Sequence, residues 1–334
     1  MSAFIVGSGS ALPDTVVSNE EIAERLGLDA EQIFKSSGIQ RRRWATPGTT
    51  TSALAAEALH LAVTDAQIPT ADIDYLIFGT MTPDRFIPGS APSVQHKLGL
   101  NEIPCLDIRA ACCNTLYGLQ LAASLITSKT AKCVALCLAE VQSPWLDLTP
   151  EAGTTSMLFG DGASVLLIAD EQRSAAALEI FDVFLATNGS YVDDLGIRCP
   201  GTEYGITPSK SGSAKDSFPR MVGQSVILQA SRRISAACQT VLKRNQLSVN
   251  DVKWIVPHQA NANLLNQVTR SLKFEGGGDR LITILNEVGN TSSASMGMAL
   301  DSLRRSERVQ QQDLILMPAF AAGFTWGAGL CRAI

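Results

Sequence analysis

The sequence predicts an α/β protein made of two similar halves. Apolar runs suited to buried strands alternate with amphipathic stretches suited to helices along the chain. The stretch QIPTADIDYLIFG begins at Gln67, and the similar stretch QLSVNDVKWIVPH begins 179 residues later, at Gln246. Both contain a polar turn and an acidic residue followed by an apolar run. Each copy follows a helical stretch, so we expect mostly parallel sheets with helices packed against their faces.

The predicted elements follow in the same order in both halves. MSAFIVGSGSALP gives a first strand and turn, and TSALAAEALHLAVTDA gives a helix. After DIRAACC comes the helix LYGLQLAASLI, and the strands KCVALCLAE and FGDGASVLLI correspond to DLILMPAF and FTWGAGLCRA. The same offset sets Gly118 opposite Gly297, and Cys112 opposite Thr291. We predict an N-terminal half, residues 1–170, that carries a nucleophilic cysteine, and a C-terminal half, residues 171–334.

Composition argues against a nucleic-acid-binding protein, a membrane protein and a metal-binding protein. With 334 residues and 46% apolar side chains, the chain can bury a large core, and a net charge of −5 gives no reason to expect a nucleic-acid partner. No apolar run approaches the ~18 residues of a membrane span, and the N-terminus lacks the features of a signal peptide. The eight cysteines form no CxxC pair and no metal-binding spacing, which predicts reduced thiols, a cytoplasmic protein and no metal site.

Three polar positions follow predicted strand ends, where α/β folds place their chemistry. These are Cys112 in the first half and His258 and Asn290 in the second. Since each half supplies part of this set, we expect a cleft between the halves.

Cys112 is the candidate nucleophile. It precedes a helix, and the positive end of the helix dipole favours a thiolate with a lowered pKa. The alternative is that Cys112 and Cys113 are small buried residues at a crowded turn. Local chemistry does not choose between the two cysteines.

His258 and Asn290 are the candidate polar partners. His258 ends the strand WIVP, although a structural histidine fits there too, whereas His60 and His96 fall within helical stretches. Asn290, in NEVGNTSSAS, fits either a helix N-cap or a group that faces the cysteine.

Taken together, these motifs resemble the β-ketoacyl-acyl-carrier-protein synthase III family of the thiolase superfamily. The resemblance runs almost end to end through SSGIQRRR, DIRAAC, FGDGA, VPHQAN, GNTSSAS and GFTWGAGL. A weaker likeness joins DIRAAC and LYGLQ to specialised members of the alkylquinolone pathway. The resemblance implies the thiolase fold, a duplicated five-layered αβαβα arrangement with two mixed sheets.

The resemblance also implies the reaction. The family's Cys-His-Asn triad falls on Cys112, His258 and Asn290. Cys112 takes an acyl starter, and a malonyl thioester then loses CO₂ and attacks it in a Claisen condensation that gives a 3-oxoacyl product. The pathway is fatty-acid initiation or a specialised one, such as polyketide or secondary metabolism. The alternative is an acyltransferase that passes the acyl group from Cys112 to an alcohol or amine without condensation.

Further roles come from the same resemblance. The backbone N–H groups of Cys112 and Ala322 form the oxyanion hole. The implied substrate-binding residues are Asn261, Gly223, Phe320 and Ile87, the last reaching the acyl tunnel of a partner copy in a homodimer. The implied partners are acyl and malonyl thioesters and an acyl carrier protein, with no metal or cofactor.

The chain departs from the family pattern at several positions. Asn114 stands where glycine is usual, as do Ala321 and Ala322, and a donor N–H at Ala322 requires that its φ is not positive. Gln32 and Ser36 replace the tryptophan and arginine that clamp the adenine of coenzyme A in relatives.

Overall fold

The computed structural model describes residues 2–171, 177–205, 214–274 and 277–334. The strands are β1 (Phe4–Ala11), β2 (Thr15–Ser18), β3 (Arg41–Trp44), β4 (Tyr75–Gly79), β5 (Cys105–Ile108), β6 (Cys133–Glu140), β7 (Gly162–Ala169), β8 (Leu178–Thr187), β9 (Leu195–Gly196), β10 (Arg220–Met221), β11 (Val252–Ile255), β12 (Leu314–Ala321) and β13 (Thr325–Ala333). The helices are α1 (Asn19–Leu26), α2 (Ala30–Ser37), α3 (Thr51–Ala66), α4 (Ala91–Lys97), α5 (Asn114–Thr127), α6 (Gly153–Ser156), α7 (Gly223–Arg244), α8 (Ala262–Ser271), α9 (Gly277–Arg280), α10 (Leu285–Val288) and α11 (Ser295–Arg305).

Nine strands form one mixed sheet in the order β11-β12-β13-β8-β1-β7-β6-β4-β5. The two sheets expected from the resemblance are present as two similar parts of it, joined where β1 pairs with β8. β1, β7, β6 and β4 correspond in order to β8, β13, β12 and β11. The counterpart of β5 is reduced to a single bridge between Ile255 and Leu281.

The expectation of mostly parallel strands was wrong. Three neighbouring pairs in this sheet are parallel (β4–β5, β4–β6 and β11–β12) and five are antiparallel. A parallel neighbour requires a crossover connection, usually a helix, between the strands. β13 follows β12 after only residues 322–324, so it returns antiparallel. β7 also lies antiparallel beside β6, although residues 141–161 connect these two strands.

The layers follow from which faces are apolar. α3 packs on β1, β6 and β7, and α7 packs on β8, β12 and β13, which makes these helices the outer layers. α5 and α11 lie between the two parts of the sheet, in a core that takes Leu136 and Ile168 from one side and Ile315 and Met317 from the other. This is the five-layered arrangement of the thiolase fold.

Near the candidate site, equivalent residues of the two halves are 181 positions apart, and not the 179 positions that the sequence indicated. A 3-10 turn at Ala111–Cys113 precedes α5, and one at Ser292–Ala294 precedes α11, an offset of 181 residues. Ala111 and Ser292 share an unusual positive φ, 48° and 47°. Cys112 therefore corresponds to Ser293 and not to Thr291, because the connections before the two turns differ in length. The boundary at residue 170 stays a prediction.

Candidate active site

The structure distinguishes the two adjacent cysteines. Cys112 lies in the 3-10 turn before α5, keeps part of its surface exposed, and has its Sγ 3.5 Å from Ser292 Oγ. Cys113 is fully buried, and its Sγ contacts the backbone oxygen of Thr325. Of the two, only Cys112 is placed to meet a substrate.

The electrostatics of Cys112 differ from the sequence expectation. Burial raises the pKa of its thiol to about 11; the hydrogen bond from Ser292 opposes the rise, and the charge of Glu140 adds to it. The expected lowering of this pKa was wrong in direction, because burial of the thiol outweighs the hydrogen bonds that favour the thiolate. At neutral pH this pKa keeps Cys112 as a thiol.

His258 lies just after β11 and is nearly buried. Its backbone N–H donates to Pro318 O at 2.9 Å, and its ring Nδ1 is 2.7 Å from Ser295 Oγ. Burial lowers the pKa of the imidazole to about 3, so the ring is neutral. His60 and His96 are exposed on α3 and α4, as their helical patterns predict.

Hydrogen bonds hold Asn290 at three groups: its backbone N–H, its backbone carbonyl and its side-chain oxygen. Its backbone N–H donates to Leu158 O at 2.8 Å, its carbonyl accepts from Gly160 N at 3.0 Å, and its Oδ1 accepts from Ser292 N at 2.8 Å. Because Oδ1 accepts this hydrogen bond, the orientation of the amide is set, and Nδ2 makes no hydrogen bond within the described residues.

The segment 290–295 links the three candidate catalytic residues. Ser292 contacts Cys112 through its hydroxyl and Asn290 through its N–H, and Ser295 contacts His258 and donates to Ser292 O at 2.9 Å. No hydrogen bond joins Cys112 directly to His258 or Asn290 in the part of the chain described. The sequence reasoning did not single out Ser292 and Ser295, although the run GNTSSAS carries both.

Glu140 is a buried carboxyl beneath this segment, and sequence reasoning missed it as well. It accepts from Ser293 Oγ at 2.7 Å, Thr82 Oγ1 at 2.8 Å and Met81 N at 3.1 Å. Burial raises its pKa against these hydrogen bonds. The available signal was one acidic residue that closes the apolar strand KCVALCLAE. Glu140 ties the end of β4 to the turn before α11.

The backbone N–H groups of Cys112 and Ala322 are both free of backbone acceptors in the described residues. The φ of Ala322 is not positive. Alanine can therefore stand here in place of the usual glycine without backbone strain. The turn that holds Cys112 packs against β12, which ends one residue before Ala322.

Asn114 occupies a tight site behind the nucleophile. Its Oδ1 accepts from Ala110 N at 2.7 Å, which closes the turn around Cys112. Its Nδ2 is buried and makes no hydrogen bond within the described residues. A Cβ built on Gly79 would lie 2.8 Å from the Cβ of Asn114, so the two backbones approach closely.

The expected substrate residues fall in different environments. Phe320 is buried against Phe324 and, with His258, lines an apolar pocket between α7, α8 and the sheet. Cys112 and Asn290 do not line this pocket. Gly223 opens α7 with free space around it.

Asn261 is held by hydrogen bonds at the start of α8, whereas Ile87 is exposed to solvent. Asn261 caps α8, because its Oδ1 accepts from Asn263 N at 2.8 Å, and its Nδ2 donates to Ser36 O at 3.1 Å. Ile87 is 78% exposed in a loop and contributes nothing to the site of its own chain.

Among the described residues, no group of histidine, cysteine and acidic side chains is arranged to hold a metal ion. No described helix is long and apolar enough to span a membrane.

Comparisons with known proteins identify the family of this chain. The family model of 3-oxoacyl-[acyl-carrier-protein] synthase III matches residues 106–189, and the model of its C-terminal part matches residues 242–333. The β-ketoacyl-[acyl-carrier-protein] synthase III of Nitratidesulfovibrio vulgaris strain DP4 is 36% identical, over 99% of this chain and 98% of its own. The chain belongs to the β-ketoacyl-acyl-carrier-protein synthase III family. It is an enzyme of the acyltransferase class.

Solved structures show the same relationship. The 3-oxoacyl-[acyl-carrier-protein] synthase III from Aquifex aeolicus VF5 superimposes with a TM-score of 0.88 and 29% identity, covering 99% of this synthase and 100% of that chain. The priming β-ketosynthase of the R1128 polyketide pathway gives 0.88 and 28%, with 99% and 96% covered. The predicted thiolase fold is confirmed.

Proposed function

We propose that this synthase condenses an acyl starter, carried on Cys112, with a malonyl thioester, releasing CO₂ and a 3-oxoacyl product. The observation that supports the proposal is the segment 290–295, whose serines contact Cys112 Sγ, Asn290 Oδ1 and His258 Nδ1. Membership of the synthase III family supports the same reaction.

In the first half-reaction, Cys112 Sγ attacks the donor thioester and forms an acyl-enzyme. The carbonyl oxygen gains negative charge in the transition state. The N–H groups of Cys112 and Ala322 are free of backbone acceptors and are suited to hold this oxyanion. Loss of one such donor typically costs about 3 kcal/mol of transition-state stabilisation.

In the second half-reaction, the malonyl thioester loses CO₂, and the electrons left behind form an enolate. This step needs no base but needs donors aimed at the thioester oxygen. Nδ2 of Asn290 is suited to this because Oδ1 is held by Ser292. A neutral imidazole suits it too, since a ring N–H at His258 then donates without burying a charge.

Substrate positions are proposed from the free space near the site. The pantetheine arm of the donor passes Gly223, where no atom lies within 4 Å of an added Cβ, and reaches the site near Asn261 and Phe320. Ser36 accepts hydrogen bonds from Asn261 and Asn263 where relatives hold adenine. This favours a carrier-protein thioester over coenzyme A as donor.

We propose a homodimer in which Ile87 enters the acyl tunnel of the partner copy. Support comes from the loop itself, where Phe86 and Ile87 are 81% and 78% exposed, an unfavourable state for large apolar side chains. β5 is an edge strand that a second copy can cover. In the bacterial relatives that are primed with an acetyl group, the residue at this position is phenylalanine. Since isoleucine is smaller, we propose that the tunnel accepts an acyl chain longer than acetyl.

The location and pathway are proposals as well. All eight cysteines are free, which supports a reducing compartment, the cytoplasm. Fatty-acid initiation and polyketide priming both use this reaction, and product identification decides between them.

The test is incubation with acyl and labelled malonyl thioesters, each on carrier protein and on coenzyme A. We expect CO₂ release and a 3-oxoacyl product by mass spectrometry, and loss of the 3-oxoacyl product in Cys112→Ala. Cys113→Ala is the matched control that retains activity. Acylation of Cys112 without CO₂ release would reject condensation and favour transfer of the acyl group to an alcohol or amine.

A further inference from the structure

The hydroxyl of Ser295 lies at the centre of three polar contacts beside His258. Its Oγ is 2.7 Å from Nδ1 of His258, 3.2 Å from the N–H nitrogen of Gln259 and 2.9 Å from the carbonyl oxygen of Ser292. Ser295 is fully buried, so these neighbours decide where its proton points.

The number of protons in this cluster is limited. A hydroxyl has one proton to donate and two lone pairs to accept with. The Gln259 N–H can only donate, so it uses one lone pair of Oγ. The Ser292 carbonyl can only accept. If Oγ–H pointed at His258 Nδ1, two oxygens would face each other at 2.9 Å with no proton between them.

If Oγ–H of Ser295 points at Ser292 O instead, each of the three contacts of Oγ contains one hydrogen. Oγ–H donates to Ser292 O, Gln259 N–H donates to Oγ, and Nδ1–H of His258 donates to the second lone pair of Oγ. A neutral imidazole carries a single N–H, so Nε2 then holds a lone pair. No described residue hydrogen-bonds Nε2.

We propose that Ser295 is the positioning residue that sets which nitrogen of His258 carries the proton, and that in the free enzyme this is Nδ1. The inference rests on the proposed function, because it gives His258 a role in the first half-reaction. Nε2 becomes the proton acceptor for Cys112, whose thiol needs a base since it is not ionised at rest.

The proton path balances over that half-reaction. The S–H bond of Cys112 breaks as its sulfur bonds to the acyl carbon, and the proton moves to Nε2 of His258. The bond from the acyl carbon to the donor sulfur then breaks, and Nε2 returns the proton to the leaving thiolate. The ring ends as it began, with hydrogen on Nδ1.

Condensation needs hydrogen on Nε2 instead. Turning the Ser295 hydroxyl from Ser292 O to Nδ1 accommodates that tautomer, with the ring proton exchanged through solvent and no net charge change. It leaves the unfavourable contact between Ser295 Oγ and Ser292 O, which is why this tautomer is the minor one in the free enzyme. Ser292 O keeps its second donor, the Ser295 N–H. One serine thus allows the imidazole to accept a proton in one half-reaction and donate a hydrogen bond in the other.

The decisive experiment is nitrogen NMR of the full chain with ring-labelled histidine, without substrate at neutral pH. His258→Gln identifies the His258 signals against those of His60 and His96. We expect a protonated Nδ1 and an unprotonated Nε2. A protonated Nε2 in the free wild-type enzyme would overturn the proposal. No turnover is needed, so the result is independent of whether CO₂ is released.

Variants test the role of the serine. Ser295→Ala should change the tautomer and slow acylation of Cys112 by about 10- to 100-fold without raising the donor KM, the effect of a misplaced base. Ser295→Thr, which restores a hydroxyl, should recover the wild-type tautomer. Ser164→Ala removes another buried hydroxyl, which donates to Ala294 O, and should change neither. A wild-type tautomer in Ser295→Ala would also refute the proposal.

Discussion

At the residue scale, burial keeps both Cys112, the proposed nucleophile, and His258 uncharged. The pKa of Cys112 is raised to about 11, and that of His258 is lowered to about 3. These shifts oppose proton transfer between the two in the absence of substrate. A thiolate–imidazolium pair, which many cysteine enzymes use, is therefore not the resting state here.

This leads to a prediction for the alkylation of Cys112. The second-order rate constant with iodoacetamide should rise about tenfold per pH unit from pH 6 to pH 10, because only the thiolate reacts and its fraction grows until the pKa. Peptide mass spectrometry measures the rate at Cys112 alone, and the partly exposed Cys105 is the internal comparison. A rate that is already constant at neutral pH would contradict the neutral pair.

At the element scale, the hairpin of β12 and β13 carries Ala322, whose N–H is the proposed second oxyanion donor. Residues 322–324 connect two long strands that pair over their whole length, from Leu314 with Arg332 to Ala321 with Thr325. The register of the strands therefore holds the N–H of Ala322 in place without the glycines that are usual in the family.

Ala322→Gly should accordingly leave kcat within about twofold, since the N–H donor is retained. The free energy of unfolding should fall by about 0.5–1 kcal/mol, because glycine loses more backbone entropy on folding. Steady-state kinetics and urea unfolding measure the two effects, with Ala321→Gly as the neighbouring control. A large rise in kcat would show that alanine at this position distorts the oxyanion hole.

At the scale of the whole molecule, the site draws on both halves of the chain, and its loops are joined by 290–295. Phe86 and Ile87 are exposed in a loop that is separate from this centre. Two exposed apolar side chains fit a surface that would be covered in the proposed homodimer.

Ile87→Asp should therefore shift the protein to monomers, because a charge at the covered loop would lose its solvation. Sedimentation equilibrium measures the change, and circular dichroism should show an unchanged fold. Val192→Asp alters another highly exposed apolar residue outside this loop and should remain dimeric. If Ile87→Asp associates like wild type, the loop is not at the interface.

The sequence allowed the fold class and the three candidate catalytic residues to be predicted, because specific motifs carry them in order. Strand direction was not predictable from alternation alone, as β7 and β13 return without a crossover. The roles of Ser295 and Glu140 were hidden because their partners, His258 and Met81, are distant in sequence. The pKa of Cys112 depends on burial, which no local pattern reports.

The close approach of Asn114 to Gly79 couples the two positions. A side chain at position 79 would place its Cβ 2.8 Å from the Cβ of Asn114 and 2.9 Å from Cδ2 of Leu138, so something there would have to shift. Replacing Gly79 is therefore tolerated only together with a change at residue 114 and movement of Leu138, and a larger residue 114 in turn depends on glycine at 79.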